Sequence, residues 1–223
     1  MSAKERILGR VRQALKRESA EPHWLHEPVN SGPEFRIPAS EPTALLDAFR
    51  KELQSLFGEV HAFDSIDAVR SWLMREAFPS ILAPDCARLR PVLDGVPHVS
   101  WIAGDHPTRT GWENVECGVT PTLGLAAESA TVIVAADVSG RAMSVLPPVH
   151  VVVATMDQLL PDFEAAVNAF RARYGDDLPS TVSFVTGPSR TADIEKILVL
   201  GAHGPKRLVV LMLPANSLPG LDA

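Results

Sequence analysis

The sequence predicts an α/β fold, with a mostly parallel sheet flanked by helices and an N-terminal helical arm. Short runs rich in β-branched residues, bounded by Gly and Pro, alternate along the chain with segments of helical periodicity. The apolar runs VIVAA at 132–136 and VVVAT at 151–155 do not alternate in polarity. Such runs are typical of strands buried on both faces, as in a parallel sheet.

The first 42 residues are predicted to form a part of their own, an amphipathic helix over 2–18 followed by a Pro-rich linker over 20–42. The apolar positions of the helix share one face, and basic residues cover the rest; the apolar positions are Ile7, Leu8, Val11, Ala14 and Leu15. The stripe is narrow and lacks Trp and Phe, which favours docking on protein over binding to an anionic membrane. His23 and His26 lie in the extended linker, which supplies no rigid second pair of ligands, so no metal site is predicted there.

Residues 43–223 are predicted to form the α/β domain. Helices are expected over 43–57, where Gly58 stops the first, then over 65–77, near 159–173 and near 192–200. The predicted strands are EVHAF, SILA, HVSWIA, VECGVT, TVIVAA, HVVVAT, TVSFV and RLVVLML.

Composition limits the classes of function. The chain has 223 residues, a formal net charge of −6 and 6% aromatic residues, which argues against a nucleic-acid-binding surface. No apolar run approaches the roughly 18 residues of a membrane span, and no signal peptide is recognisable, so a soluble, cytoplasmic protein is expected. The two cysteines, Cys86 and Cys117, are expected to be reduced thiols, and alone they cannot hold an iron–sulfur cluster or a Cys-rich zinc site.

The stretch TGPSRTADIE at 186–195 is the strongest candidate site. It follows a predicted strand and leads into a predicted helix, so its backbone N–H groups and the helix N-terminus would favour an anion. Arg190 would pair with a carboxylate or phosphate, and hydroxyl groups would complete the cradle. The predicted ligand-binding residues of this loop are Gly187, Pro188, Ser189, Arg190, Thr191 and Asp193. The alternative is a capped helix with an exposed arginine, in which Thr191 or Asp193 is the N-cap.

A second stretch, residues 115–155, supplies further candidates. Glu128 stands at a turn directly before a strand, where a desolvated carboxylate could act as nucleophile or general acid–base. Glu195 is the second candidate for proton handling, and Thr120 and Arg141 are added as ligand-binding candidates. His150, at the start of a strand, is interpreted as a structural histidine.

Several motifs are missing from the chain. It has no GxGxxG after a strand, no GxxxxGK[ST], no GxSxG and no HExxH. The sequence therefore argues against a Rossmann dehydrogenase, a P-loop NTPase, an α/β-hydrolase and a zincin.

Three stretches together resemble the LUD-domain family, specifically its lactate utilisation protein C group. They are CGVTPTLGLAAESATVIV, GRAMSVLPPVHVVV and TGPSRTADIEKILVLGAHGPKRLVVLML. The family usually has an Ala-Glu-Thr-Gly-type turn where this chain has Ala127 to Ala130. Glu128 and a hydroxyl are kept, but alanine replaces the glycine, which is unfavourable if the turn needs a positive φ.

The resemblance implies a fold like that of NagB, RpiA and the CoA transferases. It also implies a cytosolic subunit of a system that oxidises L-lactate to pyruvate, whose partner subunits carry the iron–sulfur clusters. This chain would bind a small carboxylate or phosphate-bearing ligand and hold no metal or redox cofactor itself. Two alternatives stay open: a stand-alone acyl- or CoA-transferase-like or sugar-phosphate isomerase-like enzyme using Glu128, and a non-catalytic scaffold.

Overall fold

The computed structural model describes residues 3–15, 41–102, 114–139, 142–191, 199–201 and 203–221, a few of them by their backbone alone. The chain divides into two units, Met1–Phe35 and Arg36–Ala223. In the first unit, helix α1 (Ala3–Leu15) confirms the predicted N-terminal helix, and its apolar Ile7 and Leu8 are exposed. Residues 20–40 of the predicted linker, with both of its histidines, lie outside the described residues.

The second unit contains the α/β domain. Its described helices are α2 (Pro42–Ser55), α3 (Ile66–Glu76), α4 (Arg90–Leu93), α5 (Ala136–Ser139) and α6 (Phe163–Tyr174), with a 3₁₀ turn at Met156–Gln158. Its described strands are β1 (Glu59–Ala62), β2 (Ile81–Pro84), β3 (Val99–Ile102), β4 (Cys117–Pro121), β5 (Gly124–Ala126), β6 (Thr131–Ala135), β7 (Val149–Thr155), β8 (Leu159–Leu160), β9 (Val182–Val185), β10 (Arg190–Thr191), β11 (Val199–Leu200) and β12 (Arg207–Leu213).

Six of these strands form the main sheet, in the order β1-β12-β7-β4-β2-β3. Every neighbouring pair in it is parallel, with Val209 of β12 opposite Val151 of β7. The predicted mostly parallel sheet flanked by helices is thereby confirmed. The apolar run of β7 is buried at every position, as expected for a strand covered on both faces.

A second, four-stranded sheet has the order β8-β5-β6-β9, and β6 is antiparallel to both of its neighbours. The sequence did not predict this sheet as a separate layer. The helix predicted from residue 159 begins later, because Leu159–Leu160 pair with β5 instead. Helix α6 then starts after Asp162, whose carboxylate accepts a hydrogen bond from the Ala165 N–H at 2.7 Å.

Two apolar cores cover the two faces of the main sheet. One lies under α3 and α4, and its largest fully buried side chains are Leu73, Ile81, Leu89, Leu93 and Leu211. The other lies between the sheet, α2 and the second sheet, and includes Phe49, Leu53, Leu125, Val152 and Leu208. The main sheet is therefore the middle layer of the domain, and its neighbouring residues along a strand face different cores.

No described helix is both long enough and apolar enough to cross a bilayer. Cys86 and Cys117 are free thiols, and burial raises the pKa of each.

Candidate functional site

The loop at 186–191 folds across the end of helix α2. Gly187 has a φ of +90°, and a Cβ added there would lie 2.9 Å from the Leu56 carbonyl oxygen. Both the left-handed backbone and the close approach to Leu56 require glycine at this position. The turn predicted at Gly187 and Pro188 is present for this reason.

Three loops converge beside this turn. The Ser189 N–H donates to the Pro205 carbonyl at 2.9 Å, and the Ser189 carbonyl accepts from the Gly201 N–H at 2.8 Å. The Lys206 N–H donates to the Pro148 carbonyl at 2.8 Å. Since Pro148 and Lys206 directly precede β7 and β12, the loop lies at the amino end of the main sheet.

Ligands of open parallel sheets usually lie at the opposite edge, beyond the carboxyl ends of the strands. The loop does follow the carboxyl end of β9, but β9 belongs to the second sheet and runs antiparallel to β6. The rule for ligand sites in open parallel sheets therefore does not apply to this loop.

The described residues at the two ends of the helix predicted near 192–200 form strands. Arg190–Thr191 form β10, which pairs antiparallel with Val199–Leu200 of β11, so no helix begins at Thr191 and none reaches Leu200. Residues 192–198, with the candidates Asp193 and Glu195, lie outside the described residues. The Ser189 N–H is already bonded to the Pro205 carbonyl, so this amide is not free to bind an anion.

Arg190 is the cationic group of this loop. Its side chain is exposed, and its guanidinium carbon lies 6.0 Å from the centre of the Phe57 ring. Within the part of the chain that the structure describes, no carboxylate forms an ion pair with it. The guanidinium is therefore not neutralised by a described neighbour.

Glu128 lies in the tight turn that joins β5 to β6. The backbone of the turn is fixed by hydrogen bonds from the Ala127 N–H to the Leu160 carbonyl at 2.8 Å and from the Glu128 N–H to the Pro161 carbonyl at 3.0 Å. The Glu128 side chain is exposed. It lacks the desolvation on which its prediction as a nucleophile depended.

Ala130 closes the same turn with a φ of +49° and is fully buried. The turn thus has the positive φ that favours glycine. We expect Ala130→Gly to change the free energy of unfolding by less than about 1 kcal/mol. Relief of about 1–2 kcal/mol of left-handed strain is offset by the greater backbone entropy of glycine and by a lost buried methyl group.

Ala130→Val is the contrasting variant for that prediction, because a β-branched side chain is disfavoured at positive φ. It is expected to lower the stability by about 2 kcal/mol or more. Urea unfolding of both variants measures the difference, and equal stabilities would contradict the assignment of backbone strain to this position.

A row of hydroxyl groups links this turn to the loop at 186–191. The Ser129 and Thr131 hydroxyls are 2.8 Å apart, and the Thr131 and Thr186 hydroxyls are 3.1 Å apart. Pairing of β6 with β9 produces the row, since it sets Val132 opposite Val185. The structure thereby brings together two stretches that the sequence analysis selected separately, although that analysis named neither Thr131 nor Thr186 as a site residue.

Thr120 lies elsewhere, inside the domain. It is fully buried, and its hydroxyl lies 2.8 Å from Nε2 of His150, which is also fully buried. His150 Nδ1 has no hydrogen-bond partner among the residues that the structure describes, and burial lowers the pKa of this histidine to about 4. The pair lies on the sheet face that α2 and the second sheet cover, so His150 fits the structural role predicted for it.

Arg141 lies outside the described residues, and Thr191 is described by its backbone alone. Among the described residues, no group of three or more His, Cys, Asp or Glu side chains could hold a metal ion.

Comparisons with known proteins identify related chains. The model of the LUD domain matches residues 104–213. The chain is 26% identical over 230 residues to lactate utilization protein C of Bacillus subtilis (strain 168), covering 94% of this chain and 95% of the other. A protein of the same description from Macrococcus caseolyticus (strain JCSC5402) is 34% identical over 104 residues, 45% of each chain.

One solved structure shows the same fold. It is a DUF162 family protein from Deinococcus radiodurans, with a TM-score of 0.60 and 16% sequence identity. The match covers 78% of this chain and 98% of that one.

Proposed function

Because this chain belongs to the LUD-domain family, in the lactate utilisation protein C group, we propose that it takes part in lactate utilisation. More specifically, it is a cytosolic subunit of a system that oxidises L-lactate to pyruvate. Support for the general role comes from relatives of that description, which match along 94% of this chain.

The proposed ligand of the loop at 187–195 is a small anion, with a carboxylate or a phosphate group. One observation carries this part of the proposal: Arg190 is exposed and has no acidic partner among the described residues. Ser189, directly before it, is half-buried, and Gly204 leaves room for its side chain. A guanidinium beside a hydroxyl suits charge-assisted binding of either oxyanion.

The oxidation step requires an acceptor for two electrons, and we propose that partner subunits hold it in iron–sulfur clusters. Clusters of this kind are held by sets of cysteine thiolates, whereas this chain has only Cys86 and Cys117. Both thiols are at least half-buried, which disfavours the thiolate form that binds iron. The chain would thus supply ligand binding while its partners supply electron transfer.

The proposal is tested first by binding. Thermal unfolding is followed with L-lactate, pyruvate and inorganic phosphate, each compared with sodium chloride at equal ionic strength. A ligand at 100 times its Kd should stabilise the protein by about 2.7 kcal/mol. Arg190→Ala should weaken binding by about tenfold or more, because a charge-assisted bond is lost.

Arg75→Ala is the matched control for that variant. Arg75 is an exposed arginine on α3, which covers the other face of the main sheet. Growth on L-lactate of a strain that carries only the variant chain should fall with Arg190→Ala and stay normal with Arg75→Ala. Equal ligand affinity and equal growth for the two variants would exclude the assigned site.

Glu128→Gln separates this proposal from a transferase that forms a covalent intermediate on the carboxylate. The exposed side chain of Glu128 fits a proton-handling role more easily than that of a desolvated nucleophile. Lactate-dependent growth that survives Glu128→Gln would exclude a nucleophilic glutamate, and with it the transferase.

A further inference from the structure

Arg88 is a buried cation that the proposed function does not use. It is 5% exposed, and its hydrogen-bond acceptors among the described residues are neutral. Nη1 donates to the Pro219 carbonyl at 2.8 Å, and Nη2 donates to Thr155 Oγ1 and Gln158 Oε1, each at 2.6 Å. The Nε–H is buried and has no acceptor in the part of the chain that the structure describes.

This arrangement is unusual for a charged group. A guanidinium remains protonated in proteins, and a buried charge is costly unless an opposite charge compensates it. Burial lowers the pKa of Arg88, while the nearby Asp157 carboxylate opposes that effect. Among the described residues, however, no carboxylate forms an ion pair with Arg88, and Asp157 Oδ1 instead accepts from the Asn216 N–H at 2.9 Å.

The position of Arg88 matches the edge where parallel sheets bind ligands. Thr155 is the last residue of β7, and Arg88 follows the carboxyl end of β2. Ligands in open α/β sheets lie beyond the carboxyl ends of the strands. This is the edge opposite to the loop at 186–191.

The segment 214–221, which we call the C-terminal strap, covers this edge. It has no helix or strand, and among its residues only Leu218 has a buried apolar side chain. The Pro219 carbonyl on Arg88 and the Asn216 N–H on Asp157 are its hydrogen bonds to the rest of the domain. A segment with so few buried contacts opens locally at a small fraction of the global stability.

We propose that Arg88 binds a small carboxylate at this edge. In the unliganded protein the C-terminal strap covers the site, and it lifts when the carboxylate binds. The carboxylate replaces the Pro219 carbonyl as the acceptor of Nη1 when the strap lifts, and it gives the buried guanidinium an ionic partner. A carboxylate supplies the opposite charge that the Pro219 carbonyl lacks, and a buried charge is costly unless it is paired. The inference goes beyond the proposed function, since it places a second anion site at the other edge of the sheet.

Hydrogen exchange of the full chain tests the strap directly. Pyruvate and L-lactate are the probes, with sodium chloride at equal ionic strength as the reference. The proposal expects faster exchange at 214–221, above all at the Asn216 amide, because the bound carboxylate displaces the strap. If Arg88 only holds the strap in place and binds no ligand, hydrogen exchange in this segment stays unchanged. That result would overturn the proposal.

Two pairs of variants sharpen the test. Leu218→Ala removes the apolar anchor of the strap and should tighten carboxylate binding by about tenfold, because the open form becomes more populated. Gly220→Ala is its control, since a Cβ added at this exposed glycine meets no atom within 4 Å. Equal affinity in these two variants counts against the strap.

Arg88→Met keeps an unbranched side chain as far as the Nε position but removes the charge, and it should abolish the exchange response. If Arg88→Met does not fold, two results still test the proposal. They are the exchange response of the wild-type protein and the difference in carboxylate affinity between Leu218→Ala and Gly220→Ala. Arg190→Ala should leave the strap response intact. Loss of the response in Arg190→Ala would instead assign the carboxylate to the loop at 186–191 and overturn the Arg88 site. That outcome leaves the proposed function standing, so the two proposals can fail separately.

Discussion

The free energy of unfolding is expected to fall by about 3 kcal/mol as the pH drops from 6.5 to 4, because of His150 alone. In the folded protein, burial lowers the pKa of this histidine to about 4, whereas an exposed histidine has a pKa near 6.5. Between these values the unfolded chain binds a proton that the folded chain does not. The stabilisation is therefore complete above pH 6.5 and is lost as the pH falls toward 4.

About 2 kcal/mol of this loss should occur above pH 5, where it can be separated from the titration of carboxylates. The Glu59 carboxylate, for example, has a pKa lowered below 4.5 by its hydrogen bonds from Arg207. Its stabilisation is present above that range and is lost only in more acidic solution. The window from pH 6.5 to 5 therefore reports on His150.

Urea unfolding as a function of pH measures the effect. His150→Gln keeps a nitrogen donor near Thr120 but does not titrate, so its stability should be nearly flat from pH 6.5 to 5. The exposed His203→Gln is the control and should keep the wild-type slope. A slope that survives in His150→Gln would show that another group is responsible.

The second large effect is expected in the core that α2 shares with the two sheets. Phe49→Ala should destabilise the protein by about 3–5 kcal/mol, since it removes a fully buried ring and leaves a cavity. Phe49 lies in the core formed with Leu45 and Leu53 of the same helix and with Val210 of β12. Loss of the ring weakens the packing of α2 against both the main sheet and the second sheet.

Phe57→Ala is the matched control for that prediction. Phe57 follows the same helix, but it is 59% exposed, so its removal should cost less than about 1 kcal/mol. Denaturant unfolding of the two variants gives the comparison. Equal destabilisation would contradict the layered core described for this domain.

Local patterns were sufficient to predict the main sheet and most helices. Apolar runs such as 151–155 lack alternation because both faces of β7 are buried, and this property is visible in a single strand. Helix α3 begins where Ser65 accepts a hydrogen bond from the Ala68 N–H, a signal within four residues. These elements depend on neighbours in sequence, so the sequence identifies them.

The second sheet could not be predicted in the same way. Leu159–Leu160 form a strand only because β5 lies beside them, although their sequence equally suits the start of a helix. Arg190–Thr191 likewise pair with Val199–Leu200 instead of opening a helix. Pairing partners distant along the chain overrode local preference at both places.

The candidate site shows the same division. By itself, the sequence determined the parallel α/β framework and the turn at Gly187, and it selected Arg190 and Glu128 as candidate site residues. A turn and a charged side chain can each be recognised within a short stretch of sequence. Only the tertiary structure decided that Ser129, Thr131 and Thr186 join those two stretches, and that Arg88 is buried without an ion pair to a described carboxylate. Strand register and burial arise from contacts between distant segments, and no short stretch of sequence contains them.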